Sequence, residues 1–135
     1  MAVQVIDNFL EKDEFNKLSD NIMGDSFPWY YNDGITDDDD KNNFYLTHIF
    51  YRQPGIKSNW FNMWLSTIEK LKCKSIIRIK ANSYFTVNKK QKNKPHADYT
   101  FSHKGCLLYI NDNNGCTYFK NETITPKANR AVLFN

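Results

Sequence analysis

From Ser75 onward the hydrophobic period of the chain becomes two, and this change constrains the fold more than any other feature. Ile77, Ile79 and Ala81 alternate with Arg78 and Lys80, which gives an extended segment one apolar and one charged face. Asn82-Ser83-Tyr84-Phe85 and a polar stretch from Val87 to Lys94 follow. Gly105-Cys106-Leu107-Leu108-Tyr109-Ile110 reads as a mostly apolar strand, and Asn111 to Gly115 as a dense turn signal joining it to Cys116-Thr117-Tyr118-Phe119 in a hairpin return. Ala131-Val132-Leu133-Phe134 reads as a last strand.

The first half is different. Val3, Val5 and Ile6 start a short strand, after which Phe15, Leu18 and Ile22 share a helix face with Gly24 as the stop. Phe27-Pro28-Trp29-Tyr30-Tyr31 is extended, since the residue before a proline avoids the helix, and its aromatics are expected to pack in the core. Asp33 to Asn43, with the run Asp37-Asp38-Asp39-Asp40, reads as a mobile solvated loop and lacks the ligand spacing of a calcium loop. Phe44 to Tyr51 returns to strand-like residues around His48, expected to be a satisfied core side chain. Ser58 is placed to cap a second helix whose apolar positions are Trp60, Phe61, Trp64, Leu65, Ile68 and Leu71. Two support helices followed by a run of short strands predict an α+β protein with a sandwich or barrel core.

At 135 residues the chain is expected to form a single domain, residues 1–135. A hydrophobic share of 41% with 16% aromatics is globular rather than disordered, and a net charge of +3 does not by itself argue for nucleic acid. No apolar run approaches the roughly 20 residues of a membrane span, and no signal peptide is recognisable, so a soluble cytoplasmic protein is expected. Cys73, Cys106 and Cys116 have no Cys-x-x-Cys spacing and cannot all pair, which predicts reduced thiols acting as small core residues.

The chemistry-bearing stretch is Lys94-Pro95-His96-Ala97-Asp98. In an extended segment His96 and Asp98 point to the same side and can close on one ion. They are two-thirds of a 2-His-1-carboxylate triad, which leaves half of an Fe(II) coordination sphere open. A second histidine from a later strand would complete it, and no histidine follows His103. His103 lies seven residues after His96, so in an uninterrupted strand it faces the other way; it reaches the same ion only if a kink intervenes.

Taken in order, Asn82-Ser83-Tyr84, His96-Ala97-Asp98, Tyr109-Ile110-Asn111, Gly115-Cys116-Thr117-Tyr118-Phe119 and Ala131-Val132-Leu133-Phe134 resemble the 2-oxoglutarate- and Fe(II)-dependent oxygenases. The likeness is to the prolyl-4-hydroxylase-like members carried by phages and marine bacteria. Val5 to Leu10 and Phe27 to Tyr31 are similar to the same group. The resemblance implies a double-stranded β-helix, or jelly roll, with N-terminal support helices. It implies His96 and Asp98 as metal ligands, and Tyr109, Tyr84 and Asn82 as contacts to 2-oxoglutarate. A dianionic oxoacid needs neutral donors that do not compete for iron, and phenols and amides supply them. The implied co-substrates are 2-oxoglutarate and O₂, and the implied substrate is a prolyl residue of a peptide or protein. The family's distal histidine and its 2-oxoglutarate-binding basic residue have no counterpart before Asn135, so the C-terminal strands are expected to be truncated, with an exposed edge there. Asn82-x-Tyr84 and the run Lys89-Lys90-Gln91-Lys92-Asn93-Lys94 leave open a nucleic-acid demethylase on the same fold. A non-catalytic jelly-roll binding module is the alternative if the chain truly ends at Asn135.

Overall fold

The computed structural model describes residues 2–34, 44–85 and 92–135. The acidic run Asp37 to Asp40, and Lys89, Lys90 and Gln91 of the basic run, lie outside the described residues. The elements in order are β1 (Val3–Ile6), α1 (Lys12–Met23), β2 (Tyr30–Asn32), β3 (Tyr45–Arg52), β4 (Gly55–Ile56), a 3-10 turn (Phe61–Trp64), α2 (Leu65–Lys70), β5 (Arg78–Ser83), β6 (Gly105–Leu108), β7 (Thr117–Tyr118), β8 (Thr123–Ile124) and β9 (Ala131–Phe134). This is an α+β chain in which every described strand pairing is antiparallel. It divides into two compact units, Met1–Met23 with Ala97–Asn135, and Gly24–His96.

In the first unit β9 lies between β1 and β6. An unbroken Ala-Val-Leu-Phe run suits a central strand, and Ala131 and Val132 are fully buried, whereas the edge strand β1 leaves Gln4 and Val5 exposed. β9 is therefore paired on both sides, contrary to the exposed edge expected there. The hairpin expected between β6 and the Cys116 segment does not form: β7 pairs with β8, a strand not anticipated, and β6 pairs with β9. Tyr109, Ile124 and Val132 make the buried cluster, with Val3, Leu107, Phe119 and Phe134 packed against it. Gly105 faces Phe134 across β6 and β9, and the Phe134 ring occupies the space a Cβ would need. α1 buries Phe15, Leu18 and Ile22 as the spacing predicts, with Asp13 and Glu14 in its first turn, where negative charge suits the helix dipole.

Asn129 joins three segments of this unit. Its backbone is left-handed at φ 60°, its N–H donates to the Tyr109 carbonyl at 2.9 Å, and its carbonyl accepts from Phe9 N–H at 2.9 Å. The buried side-chain amide accepts from Leu10 N–H at 2.9 Å and donates to the Leu10 carbonyl at 2.8 Å, as a neighbouring strand would. Next to it Arg130 clamps Asp7 through Nε at 2.6 Å and Nη2 at 3.0 Å. The guanidinium hydrogen bond holds the Asp7 carboxyl below the usual carboxylate range. A lowered folded pKa means the stabilisation is present above the unfolded value near pH ~4 and is lost as pH falls toward the folded one. Asp7→Asn is therefore expected to lower the melting temperature at pH 7, with the gap to the parent closing as the pH approaches 3 and as salt is raised. A gap independent of pH would contradict this assignment. Melting curves recorded across pH 3 to 7 measure it.

In the second unit β3 is the central strand. It pairs with β2 over Tyr45 to Thr47, with β5 along its length and with β4 at its end, with a register shift between Ile49 and Tyr51. Phe50 is fully buried, with ring centroids of Phe27, His48 and Trp64 at 5.8, 4.5 and 5.3 Å. The predicted second helix is shorter than its stripe: Phe61 to Trp64 form a 3-10 turn leading into the six-residue α2, and Leu65 is exposed while Trp64 and Thr67 are buried. Clustered aromatics lose rotamer freedom in an α-helix, which favours the tighter turn here. Ser58 does not cap α2, which begins beyond Trp64; its hydroxyl accepts from Trp60 N–H at 3.1 Å just before the 3-10 turn and lies 2.6 Å from His48 Nε2. Phe27 enters the core as expected, but Tyr30 and Tyr31 are exposed. The cysteines are free thiols, yet Cys73 and Cys106 are exposed and Cys116 is half-buried, so they are not core residues.

Candidate functional site

His96 belongs to the second unit and Asp98 to the first, and both side chains are exposed. His96 Nδ1 lies 3.2 Å from the Lys94 carbonyl oxygen. A carbonyl can only accept, so Nδ1 carries the proton and Nε2 the lone pair in the neutral ring. Metal-ligating histidines are oriented in this way, one ring nitrogen donating to a carbonyl and the other left basic. His103 makes the same contact with the Phe101 carbonyl at 2.9 Å, but its ring is half-buried and packed edge-on against Tyr99 and Phe101. Among the described residues no group of three or more His, Cys, Asp and Glu side chains converges as a metal set.

Asn82 and Tyr84 are brought together at the end of β5. The Asn82 amide donates to the Tyr84 hydroxyl at 3.2 Å, Thr47 Oγ1 lies 3.3 Å from Asn82 Oδ1, and Tyr84 stacks on Tyr45 at 5.4 Å. Both residues are exposed, so a ligand has access to the amide and the phenol. Tyr109 is buried in the first unit, and its hydroxyl donates to Thr117 Oγ1 at 2.6 Å. Burial pushes the Tyr109 phenol up, so at neutral pH it keeps its proton.

The second unit also contains an open cleft of about 580 Å³ that sequence reasoning did not single out. Its floor is His48, 3% exposed, with Nδ1 2.7 Å from the Pro28 carbonyl and Nε2 2.6 Å from Ser58 Oγ. The carbonyl fixes the proton on Nδ1, so Ser58 donates to Nε2 while accepting from Trp60 N–H at 3.1 Å. This histidine is satisfied on both nitrogens, as expected, and the serine is held by a backbone donor rather than poised for attack. Arg52 and Lys57 flank the cleft. The signal for them is Pro54-Gly55, a turn dipeptide that folds β4 back on β3 and returns two nearby cations to one end of the hairpin.

No helix among the described residues is long and apolar enough to cross a membrane. No family model, no curated protein and no solved structure matches the chain.

Proposed function

We propose that the chain is an Fe(II)- and 2-oxoglutarate-dependent dioxygenase, hydroxylating a prolyl residue of a peptide or protein, with its antiparallel strands forming a double-stranded β-helix. The observation that carries this reading is the His-x-Asp sequence, in which the His96 Nδ1 lies 3.2 Å from the Lys94 carbonyl oxygen. An imidazole nitrogen and a carboxylate are a donor set suited to Fe(II), so His96 and Asp98 fit the ion as its protein ligands.

When bound, iron with 2-oxoglutarate and O₂ supplies the chemistry: decarboxylation to succinate and CO₂, and delivery of one oxygen atom into a substrate C–H bond. The residues of the chain bind and orient. Asp98 offsets part of the cation's charge, and His96 keeps its tautomer through Lys94. The Asn82 amide and the Tyr84 hydroxyl donate to the 2-oxoglutarate carboxylates without competing for the metal. Tyr109 has one proton to give, and it goes to Thr117. For Tyr109 to hold a carboxylate, that proton turns to the ligand and Thr117 donates back to the phenol oxygen, reversing the two-hydroxyl chain at no loss in hydrogen bonds.

His96→Ala is expected to weaken Mn(II) binding by more than the roughly 100-fold that loss of an outer-sphere partner alone can cause. The side chain is exposed, so the fold should be unaffected. Unchanged affinity in a calorimetric titration removes His96 from the metal site and this reading with it.

A further inference from the structure

We propose that the cleft of the second unit is a binding site for a phosphate monoester carried on a planar ring, of the mononucleotide type. This lies beyond the oxygenase reading and depends on none of its residues. The volume of about 580 Å³ is within the ~300–1,000 Å³ typical of small-molecule sites.

The charge argues for the phosphate. Arg52 and Lys57 line the cleft with exposed side chains, and no carboxylate among the described residues pairs with either. A phosphate monoester near pH 7 carries about −1.5 to −2 charges, which matches these cations better than a single carboxylate does. The Arg fork gives paired donors to phosphate oxygens, Lys57 a point charge, and Asn59 an amide donor.

The walls argue for the ring. Trp60 and Tyr30 line the same cleft, and Tyr30 is 59% exposed. Trp60 stands edge-on to Phe27 with centroids 5.5 Å apart, which sets the plane of the indole before any ligand arrives. The backbone beneath the cationic rim is held in the same way. Lys57 N–H is bonded to the Phe50 carbonyl at 2.9 Å, and Ser58 is held by both His48 and Trp60. The ligand therefore has to order the exposed Arg52 and Lys57 side chains but not the backbone that carries Lys57 or the indole plane.

Calorimetric titration of the full chain with AMP, inorganic phosphate and adenosine tests the site. AMP is expected to bind at least about tenfold more tightly than either fragment, since each provides only one of the two interactions. Arg52→Ala and Lys57→Ala are each expected to weaken AMP by about tenfold or more through loss of a charge-assisted contact. Their exposed side chains leave the melting temperature unchanged. Trp60→Leu is expected to weaken AMP while leaving inorganic phosphate as it was. The proposal is overturned if AMP gives no binding, if phosphate alone binds as tightly as AMP, or if the folded Arg52 and Lys57 variants bind AMP like the parent.

Discussion

Asn129→Ala is expected to destabilise the first unit by about 4 kcal/mol, because it strips a buried peptide of both partners and leaves a side chain in a left-handed backbone. The Asn129 amide satisfies Leu10 N–H at 2.9 Å and the Leu10 carbonyl at 2.8 Å, and Leu10 is only 3% exposed, so water does not replace those bonds. Each unsatisfied buried group costs about 1–3 kcal/mol, and alanine at φ 60° adds roughly 1–2 kcal/mol that asparagine tolerates better. Asn129→Gly separates the two contributions, since glycine accepts the dihedral and loses only the hydrogen bonds. Amide exchange at Val132 and Leu133, in the central strand, reports this unit. A loss below about 1 kcal/mol contradicts the account of Asn129 as a surrogate strand partner.

Phe50→Ala carries the other large effect, about 3–5 kcal/mol in the second unit. The ring is fully buried and touches Phe27, His48 and Trp64, so its removal opens a cavity that these three rigid ring neighbours cannot close. All three tryptophans, Trp29, Trp60 and Trp64, lie in this unit, so the denaturant midpoint by tryptophan fluorescence reports it selectively. Phe50→Leu keeps most of the volume and is expected to lose less. Equal losses for leucine and alanine would mean that packing at this position is not what holds the sheet to the 3-10 turn.

What was legible in the sequence is what depends on local pattern. α1 follows from Phe15, Leu18 and Ile22, and β1, β3, β5, β6 and β9 fall where alternating or unbroken apolar runs place them. Partnership was not legible, because it is set by non-local burial. The turn signal at Asn111 to Gly115 is real, yet β6 pairs with β9, whose Ala131 and Val132 need cover on both edges. β8, two residues long, has no period to detect. The Trp60 to Leu71 stripe has helical spacing, but its first part winds as the 3-10 turn Phe61–Trp64, behind Ser58 and its bond from Trp60 N–H, and the α-helix starts only at Leu65. The site divides in the same way. His96-x-Asp98 and Asn82-x-Tyr84 are visible as spacings, and the second pair does meet at 3.2 Å. The engagement of Tyr109 by Thr117 and the return of Lys57 beside Arg52 are products of the folded chain.

The central claim, that His96 and Asp98 hold a divalent ion for 2-oxoglutarate chemistry, is tested most directly by calorimetric Mn(II) titration with and without 2-oxoglutarate. Mn(II) takes the same nitrogen and carboxylate donors without the oxidation that complicates Fe(II). The account predicts that Mn(II) binds, and that 2-oxoglutarate tightens it by about tenfold, within the usual range for two coupled ligands and equal to the tightening of 2-oxoglutarate by Mn(II). Absence of Mn(II) binding, or binding indifferent to both 2-oxoglutarate and His96→Ala, contradicts it.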